Sequence, residues 1–437
     1  MLNSDIKKIL IIAIPAALNN LLDMLQVLVD MIFVGRISPV AIAAVGLSMN
    51  FLWVIYAFIT IFSVSTNALV ARFFGAKDFQ NLEKVISVNL VLALIFSIFV
   101  AIFVLVFAYD FFFLFGKDKQ LTESATDYMH IQAIAFPFLF AGAVFASTSN
   151  GFGDTKTPLL IGIAGNILNT FLDYCLVLGN LGFPRLEILG ASIATTIADI
   201  FEVLIYIFLI FYKNLFKISF SFSKDIAKRS LKLGIPTGIE RFVSSISFMF
   251  FIWIIAQYGT YVLAGYQIGL RVEGLAFMIG FGFSIAAMTL VGQSIGEGNL
   301  DKAYRLGIKS AIISGLIMQF IGIFMFFYPE IFISIFTQDP KTVKEASLYL
   351  KVVAVSQFPL AIDFVLSGAL RGAGATKIAM FVNTGSLWLF RIIPSLILTL
   401  FFKNLIYVYL IIIAETFIKA FIIWYIFKKG KWKKIEG

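Results

Sequence analysis

The 437-residue chain has a single cysteine, Cys175, a single histidine, His130, and only 14% charged residues. One cysteine excludes an intrachain disulfide and leaves no thiolate-rich metal site. With no paired cysteines, no GxSxG nucleophile turn and no GKS or GKT phosphate loop, no known enzyme constellation is present, so the chain reads as a non-enzyme without a cofactor. His130 falls near the outer end of an apolar run and reads as an interfacial residue. The shortage of charge also excludes a soluble domain. With 60% apolar residues, 16% aromatic residues and a mean hydropathy of +0.96, this is a polytopic membrane protein whose solvent is largely lipid. The 50 phenylalanines accordingly face mostly lipid or core. The net charge of +9 does not indicate a nucleic-acid partner, because the basic residues lie in short loops and near the C-terminus. The stretch from Met1 to Lys8 leads into an apolar segment too long for a signal-peptide core, with no convincing cleavage site, and is expected to be retained.

What is present is an internal repeat. The segment from Gly265 to Asn299, GYQIGLRVEGLAFMIGFGFSIAAMTLVGQSIGEGN, has a near copy of its ending 221 positions upstream. At that offset Ala68-Leu69-Val70-Ala71-Arg72 falls on Thr289-Leu290-Val291-Gly292-Gln293, and Gly75 on Gly296. Pro15 falls on Pro236, and Gly151 to Lys156 on Gly372 to Lys377. One register held without a gap over more than 130 residues implies two tandem halves of like topology, the parallel-repeat plan of some secondary transporters.

Spanning-length apolar runs lie near residues 9–33, 41–71, 84–110, 126–149, 157–179 and 187–212, then 231–257, 262–292, 306–328, 345–369, 376–402 and 404–427. The fold is therefore read as all-α, with twelve transmembrane helices in two six-helix bundles, 1–212 and 231–437, joined by a basic linker at 213–230. Lys213, Lys217, Lys224, Lys228, Arg229 and Lys232 place that linker in the cytoplasm by the positive-inside rule. Lys428, Lys429, Lys431, Lys433 and Lys434 do the same for the C-terminal tail, as do Lys7 and Lys8 for the N-terminus, which an even number of spans requires. Asp110, Lys117, Asp118, Lys119 and Glu123 make a mixed loop on the external side.

The first span carries Asn19, Asp23, Gln26 and Asp30 at steps of 4, 3 and 4, hence on one helical face. Carboxylates inside a span are costly unless they meet a partner or a wet cavity, so this stripe is a functional candidate; an interfacial Asp30 is the competing reading. Pro15 supplies a hinge in the same helix. The fifth span repeats the pattern with Asn166, Asn169, Thr170 and Asp173, and the sixth with Ser192, Thr195 or Thr196, Asp199 and Glu202. If these stripes face one another they offer carboxylate, amide and hydroxyl oxygens suited to Na⁺ or to a proton. Interhelical hydrogen bonding that only holds the bundle together is the alternative.

The second half has lost those acids: Asp30 falls on Phe251, Asn169 on Phe390 and Asp173 on Pro394. It has Glu240, Glu273 and Asp363 instead, with Arg241, Arg271 and Arg391 as possible ion partners. A structural ion-paired role, such as Glu273 with Arg271, competes with a substrate-binding one. Glu415 and Lys419, four apart, read as a local structural pair.

Asp30-Met31-Ile32-Phe33-Val34-Gly35-Arg36, Leu290-Val291-Gly292-Gln293 through Gly296, and Gly368 to Gly374 resemble the endings of spans 1, 8 and 10 in the multidrug and toxic compound extrusion (MATE) transporters. The resemblance covers essentially the whole chain. It implies a V-shaped pair of six-helix bundles that alternate access and export cationic or amphipathic drugs in exchange for Na⁺ or H⁺, from a plasma membrane, as a monomer. It further implies that Asp30, Asn169, Asp173 and Thr195 form the coupling-cation site. The second half departs from the pattern: Ser244, Ser245 and Leu360 stand where other branches carry acids, while Glu240 and Asp363 lie about one turn away on the same faces. These two, with Glu273, are the substrate-binding candidates. A flippase for lipids or lipid-linked oligosaccharides would share the fold, but it would need a more cationic cavity to hold pyrophosphate.

The topology is open to a direct check. A protease site inserted within 213–230 is expected to be cut from the cytoplasmic side and one beside Asp118 from the external side; cleavage of both from one side would refute the two-half arrangement.

Overall fold

The computed structural model describes residues 2–115, 118–218 and 222–434. Lys117, residues 219–221 of the expected linker and the side chain of Lys434 lie outside the described residues. Among the described residues the chain is helical, with no strand. The first half contains α1 (Leu2–Val34), α2 (Pro39–Gly75), α3 (Phe79–Phe115), α4 (Lys119–Phe152), α5 (Lys156–Leu176) and α6 (Glu187–Lys213). The second opens with α7 (Lys224–Ala256), α8 (Thr260–Gly296) and α9 (Leu300–Phe327). After the short α10 (Pro329–Ile333) come α11 (Pro340–Ala354), α12 (Gln357–Gly372), α13 (Thr376–Ser386), a π-helical stretch at Leu387–Ile392, α14 (Ile393–Phe401) and α15 (Leu405–Lys429). Eleven stretches are long and apolar enough to cross a membrane, and α11 with α12 makes a twelfth, bent by 60°. α4, α9 and α11 begin several residues before their apolar segments, at polar side-chain caps. Asp118 accepts from the N–H of Gln120, Asn299 from that of Lys302, and Asp339 from that of Thr342.

The break in the tenth span follows from Pro359. Its ring cannot donate to the carbonyl four residues back and crowds it, so the helix stops at Ala354 and restarts at Gln357. Backbone groups freed inside a membrane need new partners. Gln319 of α9 supplies two: its Nε2 donates to Ala354 O at 3.0 Å and its Oε1 accepts from Phe358 N at 3.1 Å. The π-helical stretch likewise precedes Pro394, which falls in the repeat register where the first half has Asp173.

The chain forms two compact units whose boundaries differ from the expected 1–212 and 231–437. One comprises Met1–Leu18, Ala71–Lys77 and Ile235–Gly437, the other Asn19–Val70 and Asp78–Gly234. The opening segment of α1 therefore belongs with the second half, where Ile9, Ile12 and Ala13 enter a core with Phe283, Ala286, Ala287 and Leu290. A Cβ on Gly282 of α8 would overlap the backbone of Ala17, so only glycine allows that approach. The opening segment of α7 belongs with the first half by the equivalent contact: a Cβ on Gly234 would overlap the carbonyl of Ile61 in α2, and Ile61 and Gly282 correspond in the repeat register. The first-half unit has its own core, with Phe62, Phe136, Phe140 and Val144 at its centre.

Replacing Gln319 by Leu leaves a carbonyl and an N–H without partners beside the helix break. The expected cost is roughly 1–3 kcal/mol, read as a lowered melting temperature of the detergent-solubilised protein, with Gln319→Glu intermediate because it retains the acceptor.

Candidate functional site

In the first-half unit the three polar stripes converge. Asp30 is 5% exposed, and Asn169 and Asp173 are fully buried. The Asn169 amide links Asp30 to the sixth span, its Nδ2 donating to Asp30 Oδ1 at 2.9 Å and its oxygen accepting the Thr195 N–H at 3.3 Å. The carboxyls of Asp30 and Asp173 lie within hydrogen-bonding reach of each other, and Asp173 Oδ1 has no hydrogen-bond partner among the described residues. The half-buried Thr195 donates its hydroxyl to Ala191 O at 3.1 Å, leaving oxygen lone pairs available. The Asp30 carboxylate is buried against Asn169 of α5.

The supporting residues extend the same surface. Asn19 Nδ2 reaches Asp23 Oδ2 at 3.5 Å, and Asn166 donates to Gly162 O at 2.8 Å. Two glycines of α5 make room for polar neighbours: a methyl at Gly162 would sit 2.8 Å from Asn19 Oδ1, and one at Gly165 would overlap the Glu202 carboxylate. Asp199 and Glu202 of α6 interact electrostatically with Asp23 of α1. A groove of about 560 Å³ along α1 and α5 is lined by Gln26, Asn166 and Thr170 among apolar side chains. Tyr56 of α2, which sequence reasoning passed over, lies in the field of Asp23, Asp30, Asp199 and Glu202. Its polar neighbours at helical spacing, Thr60 and Ser63, carry no charge that would have singled it out. None of the five carboxylates Asp23, Asp30, Asp173, Asp199 and Glu202 makes an ion pair with a Lys or Arg among the described residues.

The second-half unit is built on the opposite principle. Glu240 Oε1 accepts from Arg371 Nη2 at 2.6 Å and from Asn383 Nδ2 at 2.7 Å. Asn383 also donates to Ser367, whose hydroxyl reaches Asp363 Oδ1 at 3.4 Å. Asp363 Oδ2 is paired with Lys419 Nζ at 3.0 Å, and Lys419 reaches Glu415 Oε1 at 3.4 Å. Glu415 Oε2 completes the chain on Arg391 Nη2 at 2.6 Å. Glu415 and Lys419 thus form the expected local pair, but Lys419 also serves Asp363. The expected pairing of Glu273 with Arg271 does not form among the described residues, since residues two apart on a helix point to different sides. Glu273, 4% exposed, accepts instead from Tyr349 Oη at 2.7 Å and Gln357 Nε2 at 3.1 Å. Of the three substrate candidates, only Glu273 makes no ion pair among the described residues, although it lies in the field of Arg391. Arg371 and Lys419 were missed as partners because they stand far from the acids in sequence.

The MatE family model matches residues 15–175 and again 236–397. The chain belongs to the MatE family. Its two matches open on Pro15 and Pro236, the pair aligned by the internal repeat. A probable multidrug resistance protein NorM of Thermotoga maritima is 31% identical over 98% of this chain and 93% of its own length. The multidrug resistance protein PmpM of Pseudomonas aeruginosa is 26% identical over 89% and 82%. A solved structure of a multidrug resistance MATE family transporter of the MOP superfamily, in an outward-facing conformation, superposes with a TM-score of 0.92 at 21% identity, over 98% of this chain and 97% of that one, and so has the same fold. MatE membership makes this chain a membrane transporter rather than an enzyme.

The charge-balanced chain in the second half predicts a coupling of two mutations. Glu240→Gln leaves Arg371 largely buried without its carboxylate and is expected to cost about 2–4 kcal/mol of stability; adding Arg371→Gln should restore most of it in thermal unfolding, and purely additive losses would show that the pair does not act as a unit.

Proposed function

We propose that this MatE protein is a secondary multidrug efflux antiporter of the plasma membrane, with both termini cytoplasmic. In this reading it exports cationic or amphipathic compounds in exchange for Na⁺ or H⁺ by alternating access. The observation that carries the reading is the buried pair Asp30 and Asp173, within hydrogen-bonding reach of each other, with Asp30 tied through Asn169 to Thr195 and no Lys or Arg paired to either acid among the described residues. Two carboxylates at hydrogen-bonding range in a low-dielectric setting repel unless a proton or a metal cation lies between them. Occupancy then alters the preferred packing of α1 against α5 and α6, and an ion that binds one packing more tightly shifts the population by that difference. A proton suits the amide orientation described above. For Na⁺, Asn169 turns its oxygen inward and Thr195 adds a hydroxyl, giving neutral ligands that a proton does not need.

Cationic substrates are drawn by the surrounding field of Asp23, Asp199 and Glu202, since charge complementarity sets encounter and selectivity. In the second-half unit Glu273 is the acid left to receive a cation, because Arg371 and Lys419 already occupy Glu240 and Asp363. Five uncompensated carboxylates disfavour the flippase reading, which needs a site for pyrophosphate.

In reconstituted vesicles under an imposed Na⁺ or pH gradient, Asp30→Asn and Asp173→Asn are each expected to lose gradient-driven dye efflux by about tenfold or more, a tenfold preference corresponding to roughly 1.4 kcal/mol. The gradient that drives the parent identifies the ion. Normal driven efflux in both variants removes these residues from coupling.

A further inference from the structure

Asp5 stands near the start of α1 and takes part in none of the contacts described so far. Its Oδ2 accepts from Lys309 Nζ at 2.6 Å and from Arg305 Nε at 3.1 Å, both on α9. Its side chain is 12% exposed, against 46% for Arg305 and 22% for Lys309, so the pair is part-buried and better shielded than a surface ion pair. Three contacts therefore hold Met1–Leu18 in the second-half unit: the Asp5 ion pairs, the Ile9, Ile12 and Ala13 core contacts, and the Ala17–Gly282 approach. From Asn19 onward α1 belongs to the other unit, which holds Asp23 and Asp30. The change of unit comes three residues after Pro15, which deprives the helix of one backbone hydrogen bond at that point.

The opening segment of α7 supplies an internal comparison. In the repeat register Asp5 corresponds to Ile226, Arg305 to Lys84 and Lys309 to Val88, so the corresponding ion pairs cannot form there. A close glycine approach occurs in both halves; among the described residues the charged clasp occurs only on the helix that carries the Asp30 stripe.

We propose that Asp5 is a positioning residue for transport, fastening the first segment of α1 to α9 so that repacking around Asp30 is taken up as a bend near Pro15 instead of a slide of the whole helix. This rests on the coupling role assigned above to Asp30. A helix free to slide relieves the Asp30–Asp173 repulsion locally, and ion occupancy is then not transmitted along it. A helix clamped at its start transmits it.

The test uses the full-length protein in two readouts. The first is gradient-driven dye efflux from proteoliposomes, alongside equilibrium dye binding. Asp5→Asn and Asp5→Lys are expected to lower efflux roughly tenfold while dye affinity moves less than about twofold. Asp5→Lys combined with Arg305→Asp and Lys309→Asp, which reverses every charge of the clasp, should recover efflux to within about threefold of the parent. The second readout does not depend on transport: a spin label on Ile11→Cys, a position 46% exposed, with Cys175 replaced by Ala. Its mobility should rise in Asp5→Asn and fall back in the charge-reversed variant. Parent-like efflux in Asp5→Asn, failure of the reversed variant to recover, or unchanged label mobility would each overturn the proposal. An inactive parent would instead count against the efflux reading, and the label then decides the clasp by itself.

Discussion

A carboxylate held away from water must be neutralised by a cation or a proton or be fully hydrogen-bonded, and the two halves of this MatE protein treat their buried acids in different ways. In the second half the positive charge is built in: Arg371, Lys419 and Arg391 sit on Glu240, Asp363 and Glu415 and join α7, α12, α13 and α15 into one continuous polar chain. In the first half no Lys or Arg pairs with the stripe acids among the described residues. Asp30 and Asp173 lie within hydrogen-bonding reach of each other, and the Asn169 amide ties Asp30 to Thr195; in the function proposed above, the balancing charge comes from solution. One repeat neutralises its acids internally; under the proposed function the other is a site whose packing depends on what occupies it. Breaking a fixed pair costs stability, whereas under the proposed function emptying the other site changes its conformation.

That division of labour is invisible to the repeat itself. The register that aligns Pro15 with Pro236 also aligns Asp173 with Pro394, and at that position the second half replaces an ionisable side chain by a helix irregularity, the π-helical Leu387–Ile392. The tenth span, interrupted at Pro359 and stapled by Gln319, adds a second irregularity to the same unit. Irregular backbone at membrane depth persists only where other protein groups satisfy it, and Gln319 shows how few residues that takes.

The spans, the repeat and the stripe of Asp30, Asn169 and Asp173 were legible in the sequence because each rests on a local rule: apolar length sets a span, and helical spacing sets a face. What escaped was pairing at a distance. Lys419 looked like a partner for its neighbour Glu415, yet it also reaches Asp363 across 56 positions of sequence. Arg271 looked like a partner for Glu273, but helical geometry turned it elsewhere while Tyr349 and Gln357 took the carboxylate. The boundary at 213–230 followed composition and loop charge, which do not register that the opening segments of α1 and α7 pack with the opposite halves.

That reciprocal exchange has a consequence for how the protein is made. A chain emerging from the ribosome delivers the segment before Asn19 first, yet the surfaces that bury Ile9, Ile12 and Asp5 lie on α8 and α9, which are synthesised well over two hundred residues later. The first-half unit in turn lacks the α7 segment packed on Ile61 until the linker has been made. Neither repeat can finish its own assembly in isolation. Insertion into the bilayer and tertiary docking are thereby separated in time, and the two halves are committed to folding as one molecule instead of as independently maturing modules.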